Sequence, residues 1–176
     1  RYEILNKIAD ALEKRVDEVS QMITDETGLC LKDTRYEASR VSDVLRFSAM
    51  KTLDDDSQVF PCDVSKNGKP RRIYTTRVPL GLISAITPFN HPMNQVVHKI
   101  APAIATNNTV VLKPSERTPL SAYYFAQLAL DCGLPANMLN VVNGADIQAT
   151  AEMMTVHPDI SMVSFTGGSK VGKIIA

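Results

Sequence analysis

The chain has 176 residues, carries 19 Lys+Arg against 19 Asp+Glu, and is 44% hydrophobic. That length buries a real core as about one domain; the zero net charge favours neither nucleic acid nor an anionic membrane as partner, and no uninterrupted apolar run is long enough to span a bilayer. Cys30, Cys62 and Cys132 are odd in number and widely spaced, which predicts no disulfide framework and no metal-ligand pair, with a reducing cytoplasm as the expected compartment.

Taken in chain order, Ile4, Leu5, Ile8, Leu12, Val16, Val19 and Ile23 recur every three or four residues, with charged residues on the other face. The spacing predicts one amphipathic helix, ended at Thr27-Gly28, and no signal peptide. A second helix is predicted over 33–50, with Tyr36, Val44, Leu45 and Phe47 facing inward and Arg35, Arg40 and Arg46 along it. Asp54-Asp55-Asp56-Ser57 reads as a loop and Asn67-Gly68-Lys69-Pro70 as a turn. Residues 71–78, RRIYTTRV, are β-branched and basic by turns and predict an exposed strand. It is either an ordinary edge or a strand that pairs with another subunit.

Residues 80–116 organise the rest. The apolar run 81–86, bounded by Pro79 and Pro88, predicts a buried strand. Pro88-Phe89-Asn90-His91-Pro92 is a turn that its two prolines bar from a helix interior. Met93, Val96, Val97, Ile100 and Ile104 predict a helix over 93–105, kinked or shortened by Pro102. After the stop at Asn107-Asn108, residues 109–112 predict a second buried strand, with Lys113-Pro114-Ser115-Glu116 at its end. A helix over 119–132 is stopped by Gly133-Leu134-Pro135. A strand over 139–142, a helix capped by Asp146 and reaching Met154, and a strand over 161–165 follow. Strands alternating with helices predict an α/β fold with a parallel sheet, in which ligands meet the carboxyl ends of the strands.

Three features have chemical potential, each with a plainer alternative. Gly167, Gly168 and Gly172 stand between strand and helix, where backbone N–H groups approach a phosphate, or where glycines merely make a turn. Gly167-x-x-x-x-Gly172-Lys173 also nearly matches a P-loop, but Ile174 stands where a magnesium-binding hydroxyl belongs. Lys113 and Glu116 suit ribose hydroxyls; the alternative is a solvated helix start with Ser115 and Glu116 as caps. Glu116 lies before the glycines, not about 20 residues after them, so an ordinary Rossmann dehydrogenase fits poorly. Asn90, in its rigid turn, suits donation to a developing oxyanion, or stabilises its own turn.

In the order in which they stand, these motifs resemble the aldehyde dehydrogenase superfamily. Pro79-Leu80-Gly81 and Ile86-Thr87-Pro88-Phe89-Asn90-His91-Pro92 are similar to its strand entry and Pro-(Trp/Phe)-Asn-x-Pro turn. Lys99-Ile100-Ala101-Pro102-Ala103-Ile104-Ala105, the stretch 108–116, Thr118-Pro119-Leu120, Gly133-Leu134-Pro135, Val142-Asn143-Gly144 and Phe165-Thr166-Gly167-Gly168-Ser169 continue the match over nearly the whole chain. The Phe-Asn-His-Pro turn resembles most the phosphonoacetaldehyde and lactaldehyde dehydrogenase group.

The resemblance implies a Rossmann-like NAD-binding domain over 79–176, with NADP allowed for, preceded over 1–78 by helices and an oligomerisation arm. It implies oxidation of an aldehyde to the carboxylate through a cysteine thiohemiacetal and thioester, in a homodimer or homotetramer. Asn90 corresponds to the side-chain half of the oxyanion hole, and Lys99 to a lysine near the proton path. Ile86, Thr87, Pro88, Phe89, Lys113, Ser115, Glu116, Phe165, Thr166, Gly167, Gly168 and Gly172 correspond to the cofactor site. Arg40, His91, Asn94 and His98 correspond to the substrate entrance, where their polarity suits a small anionic aldehyde; Arg40 pairing with Glu37 or Asp43 on its own helix is the plainer alternative. The family's catalytic cysteine and base glutamate lie beyond the Phe-Thr-Gly turn, and none of the three cysteines here has that motif. The expectation is therefore an N-terminal fragment of such an enzyme. A non-catalytic nucleotide-binding or assembly module is the alternative.

Overall fold

The computed structural model describes residues 1–54 and 56–176. The loop expected at residues 54–57 therefore has Asp55 outside the described residues. The chain opens with α1 (Tyr2–Glu13), α2 (Val16–Thr27) and α3 (Leu31–Lys51). Where one helix was expected up to Thr27, there are two. Arg15, at φ −123° and ψ 21°, leaves the helical region, and its N–H turns back to the Leu12 carbonyl. The apolar spacing runs unbroken across the break because both helices bury a face against α3, so periodicity could not mark it. Gly28, at φ 76°, ends α2 in the left-handed conformation that glycine adopts without a Cβ penalty.

On α3 the buried face is Thr34, Glu37, Ala38, Val41, Ser42, Leu45 and Ala49, one stripe at helical spacing. Tyr36 and Phe47, expected inside, are 63% and 70% exposed on the opposite side. Three polar residues take the inward places because each is bonded there. Thr34 meets the Thr24 hydroxyl at 2.9 Å, Ser42 donates to the Ala9 carbonyl, and Glu37 accepts from a later helix. Arg46 ties α3 to α1 through Asp10 and Glu13.

Then come β1 (Val59–Phe60) and β2 (Ile73–Tyr74), an exposed antiparallel pair. The strand expected over 71–78 shrinks to these two residues of β2. Only two register pairs hold it, and no core lies beneath to extend it.

The remainder alternates: β3 (Leu82–Ile86), α4 (Pro92–Ala105), β4 (Thr109–Lys113), α5 (Leu120–Asp131), β5 (Leu139–Val141), α6 (Ile147–Val156), β6 (Ile160–Phe165) and α7 (Ser169–Ile175). Helix α4 continues through Pro102, which sits exposed in its last turn, with no N–H to return to the His98 carbonyl, and ends three residues later. Asp146 caps α6 by accepting from the Ala149 N–H at 2.9 Å.

Among the described residues, β3–β6 form a parallel sheet in the order β5-β4-β3-β6. The chain steps outward from β3 to β4 to β5, then returns to the far side of β3 as β6. Ile83 and Ala85 of β3, with Val110 and Leu112 of β4, join one core with Leu5, Ile8, Val41, Leu45, Val97, Ile100 and Phe125. Helix α6 lies on the other face, over Leu82, Val111 and Ile160. The strand order reverses between β3 and β6, the place where open α/β sheets bind ligands. No described helix is long and apolar enough to cross a membrane.

Candidate active site

The register of the sheet assembles the site. Ile86, last in β3, stands level with Lys113 of β4 on one side and Phe165 of β6 on the other. Strands lie about 4.8 Å apart, so the segments 86–91, 113–116 and 165–168 emerge side by side at one end of the sheet. Backbone bonds hold them there: Thr87 N–H to the Lys113 carbonyl at 3.2 Å, and Thr166 N–H to the Ile86 carbonyl at 3.1 Å.

At the β4 end, the Lys113 ammonium is buried and bonds Glu116. Burial pushes the Glu116 carboxyl up, but hydrogen bonds from Lys113 and its own backbone, with the lysine's charge, outweigh this and leave it below the usual carboxylate range. Ser115 and Glu116 do not cap α5. Ser115 Oγ accepts from the Arg117 N–H, and the N-terminus of α5 is met instead by Glu26 of α2. The Arg117 guanidinium lies 4.2 Å from the centre of the Phe89 ring.

At the β6 end, the Phe165 ring packs against the glycine turn, and a Cβ on Gly167 would lie 2.5 Å from its tip. A Cβ on Gly172 would sit 3.3 Å from the same ring, whereas Gly168 faces open space. The ring thus accounts for two glycines of the P-loop-like spacing without any magnesium site. Lys99, buried on α4, donates to Ser164 Oγ at 3.2 Å and Thr166 Oγ1 at 2.8 Å. Burial holds its ammonium below the usual lysine range. It has no carboxylate partner among the described residues.

Between them is the Asn90 turn. Asn90 is exposed, and its amide makes no hydrogen bond among the described residues, so it does not stabilise its own turn. His91, at φ 51° and ψ 57°, is left-handed and starts α4. The turn is held from below: Glu37 Oε1 accepts the Met93 and Asn94 N–H groups, both at 3.0 Å. An apolar cleft of about 450 Å³ under α6, lined by Met153 and Met154, lies away from this row of strand ends.

The aldehyde dehydrogenase family model matches residues 1–176. The chain belongs to the aldehyde dehydrogenase family. It is 38% identical to a 3-sulfolactaldehyde dehydrogenase of Priestia aryabhattai over 99% of its own length and 36% of that protein. It is 41% identical to a phenylacetaldehyde dehydrogenase of Pseudomonas fluorescens over 99% of its length and 35% of that protein. Among solved structures, an NADP-dependent glyceraldehyde-3-phosphate dehydrogenase from Bacillus halodurans, complexed with NADP, superposes with a TM-score of 0.93 at 35% identity, covering 99% of this chain and 37% of that one. The chain thus spans about a third of the length of the relatives it matches.

In this aldehyde dehydrogenase chain, the remaining site residues gather on α3 and α4. Asn94 and His98 are one turn apart on α4; Asn94 is buried with its Oδ1 unpartnered, and His98 is exposed. His98 is held below the usual histidine range, first by burial, then by the charges of Arg40 and Lys99, so Arg40 faces it across the helix pair. Arg40 does not pair with Glu37; its guanidinium lies 5.6 Å from the Tyr36 ring centre. His91 Nδ1 lies 3.3 Å from Glu37 Oε2. Glu37 is the residue that the sequence reading missed. Its place in the inward stripe of α3, between Thr34 and Val41, was the available signal.

Proposed function

We propose that this chain is the N-terminal, cofactor-binding part of an NAD(P)-dependent aldehyde dehydrogenase acting on a small polar or anionic aldehyde. The observation that carries the proposal is the single row Ile86–Lys113–Phe165, from which the segments with the Asn90 amide, the Lys113–Glu116 pair and the glycine turn emerge side by side. In this reading residues 79–176 form the dinucleotide domain and residues 1–78 its helical support and arm. The open surface at Gly168 and the ionised Glu116 suit a dinucleotide. Glu116 would accept from the adenosine ribose, Lys113 would hold Glu116 in place, and residues 165–168 would meet the pyrophosphate. The bound cofactor would supply the hydride acceptor. The Asn90 amide N–H would donate to the oxygen that gains charge as the aldehyde carbon becomes tetrahedral, and the nucleophile and base would come from outside residues 1–176. A carboxylate at position 116 supports NAD over NADP, because it repels a 2′-phosphate. The exposed apolar residues of the β1–β2 pair, Val59 at 82% and Tyr74 at 69%, support an arm used in self-association.

For the substrate, the positive charge of Arg40, near enough to His98 to help hold that imidazole in its neutral form, supports an anionic group, with phosphonoacetaldehyde as the leading compound. The sulfonated substrate named for one relative agrees with this; the phenylacetaldehyde of the other is what the test must exclude. In the complete enzyme, aldehyde-dependent reduction of NAD+ is measured with phosphonoacetaldehyde and with propanal. Arg40→Ala and His91→Ala should each raise KM for the anionic aldehyde by the equivalent of about 1.5–3 kcal/mol and leave propanal little changed. Equal effects on both would mean that these residues shape the fold and do not read the anion.

A further inference from the structure

Helix α4 begins without a cap of its own. Its N-cap residue, His91, has a left-handed backbone and makes no side-chain bond to the helix. Pro92 at the first helical position has no N–H, so the next orphan donors are the N–H groups of Met93 and Asn94. A capping side chain ordinarily meets these from within the turn. Here a carboxylate from another helix does so. Glu37, on α3 and 1% exposed, receives both on Oε1 at 3.0 Å, and its Oε2 lies 3.3 Å from His91 Nδ1. Its bonded partners are thus residues 91, 93 and 94, and no lysine or arginine pairs with it among the described residues. The residue just before these three is Asn90.

We propose that Glu37 is a positioning residue: by capping α4 from α3 it fixes the turn that aims the Asn90 amide at the reacting oxygen. The inference rests on the oxyanion reading of Asn90. Three constraints converge on the turn. Glu37 holds its exit, Thr118 Oγ1 reaches the Phe89 carbonyl at 3.4 Å, and Arg117 covers the Phe89 ring. Of these three, Glu37 is the one that bonds the N-terminus of the helix the turn leads into, and so holds the backbone that follows Asn90. A carboxylate is suited to the place because the helix N-terminus carries partial positive charge. Occupied by two backbone N–H groups at Oε1 and by the His91 ring at Oε2, it makes no bond to the Asn90 amide, which stays free for the substrate.

The test is a double-mutant cycle in the complete enzyme, read as kcat with saturating aldehyde and NAD+, with cofactor Kd measured alongside. Asn90→Ala alone should lower kcat by about 10²–10³-fold. If it leaves kcat unchanged, the oxyanion reading fails by itself, and this inference with it. Glu37→Ala should lower kcat by about 10²-fold, the scale of a small misplacement, with cofactor Kd unchanged. Glu37→Gln, which keeps an acceptor oxygen for the two N–H groups, should recover most of that loss. In the Asn90→Ala background, Glu37→Ala should cost little more, because its effect passes through the missing amide. If Glu37→Ala proves insoluble, Glu37→Asp, one methylene short of the helix end, takes its place in the cycle, and the same losses are expected of it. A full and additive loss in the Asn90→Ala background, a parallel loss of cofactor affinity, or an unchanged kcat in Glu37→Ala would each overturn the proposal.

Discussion

Gly167→Ala and Gly168→Ala, one residue apart, should move stability in opposite directions. The ring of Phe165 closes over the turn that follows β6. A Cβ added to Gly167 would lie 2.5 Å from Cζ and 2.9 Å from Cε2 of that ring, about 1 Å inside ordinary carbon–carbon contact. The ring's Cε1 edge faces Gly172, where an added Cβ would sit 3.3 Å away, which limits how far the ring can slide along the turn. Relief requires an off-rotamer ring or a backbone shift, costing about 1–3 kcal/mol. For a chain of this size that lowers the melting midpoint by about 2–12 °C. At Gly168 the backbone is extended, φ −70° and ψ 146°, and nothing lies within 4 Å of an added Cβ. Alanine adopts that conformation without strain and restricts the unfolded chain, a gain of about 0.4–1 kcal/mol. Urea midpoints of the two variants and the parent, with dinucleotide titration by calorimetry, make the comparison. Gly167→Ala should also weaken NAD+ binding. Equal midpoints, or Gly168→Ala as the more damaging change, would show that the ring does not wedge the turn.

Glu26→Ala should lower the unfolding free energy by about 1–3 kcal/mol, read as a lower urea midpoint, because it strips Leu120 N–H, Ser121 N–H and the buried Ser121 hydroxyl of their shared acceptor; an unchanged midpoint would mean that the α5 terminus needs no protein partner. Glu116 has its folded pKa below the usual 4.5, so its stabilising contribution is present above that value and is lost as pH falls through the folded pKa; the gap in stability between parent and Glu116→Gln should close on acidification, and a gap that widens would refute the Lys113 pairing. Burial acts the other way on Glu37: its folded pKa is raised above 4.5, so stability is lost as pH rises through the folded value, and Glu37→Gln should flatten that limb. In the complete enzyme Glu116→Gln should shift selectivity from NAD toward NADP, and unchanged cofactor ratios would sink the ribose assignment. This chain alone should oxidise no aldehyde; turnover abolished by replacing Cys30, Cys62 or Cys132 would overturn that expectation.

What the sequence determined by itself is local. The proline-bounded run before Asn90, the period-3.6 face of α4 and the apolar run of β4 each carry their structure in neighbouring residues, and all formed near their expected ends. The order of motifs likewise offered Asn90, Lys113, Glu116 and the glycine turn as candidate site residues. What only the tertiary structure decided depends on residues far apart in the chain. No spacing rule says that β6 pairs with β3, yet that pairing sets Ile86 against Phe165 at one end of the sheet. Periodicity ran through Arg15 without a mark because α1 and α2 share one partner helix. Hydrophobicity put Tyr36 and Phe47 inside, whereas Glu37 took the buried place, because a carboxylate with two backbone donors and a histidine within reach can be buried as no unpartnered charge can. Those donors lie 56 and 57 residues further along the chain, beyond anything a local pattern encodes.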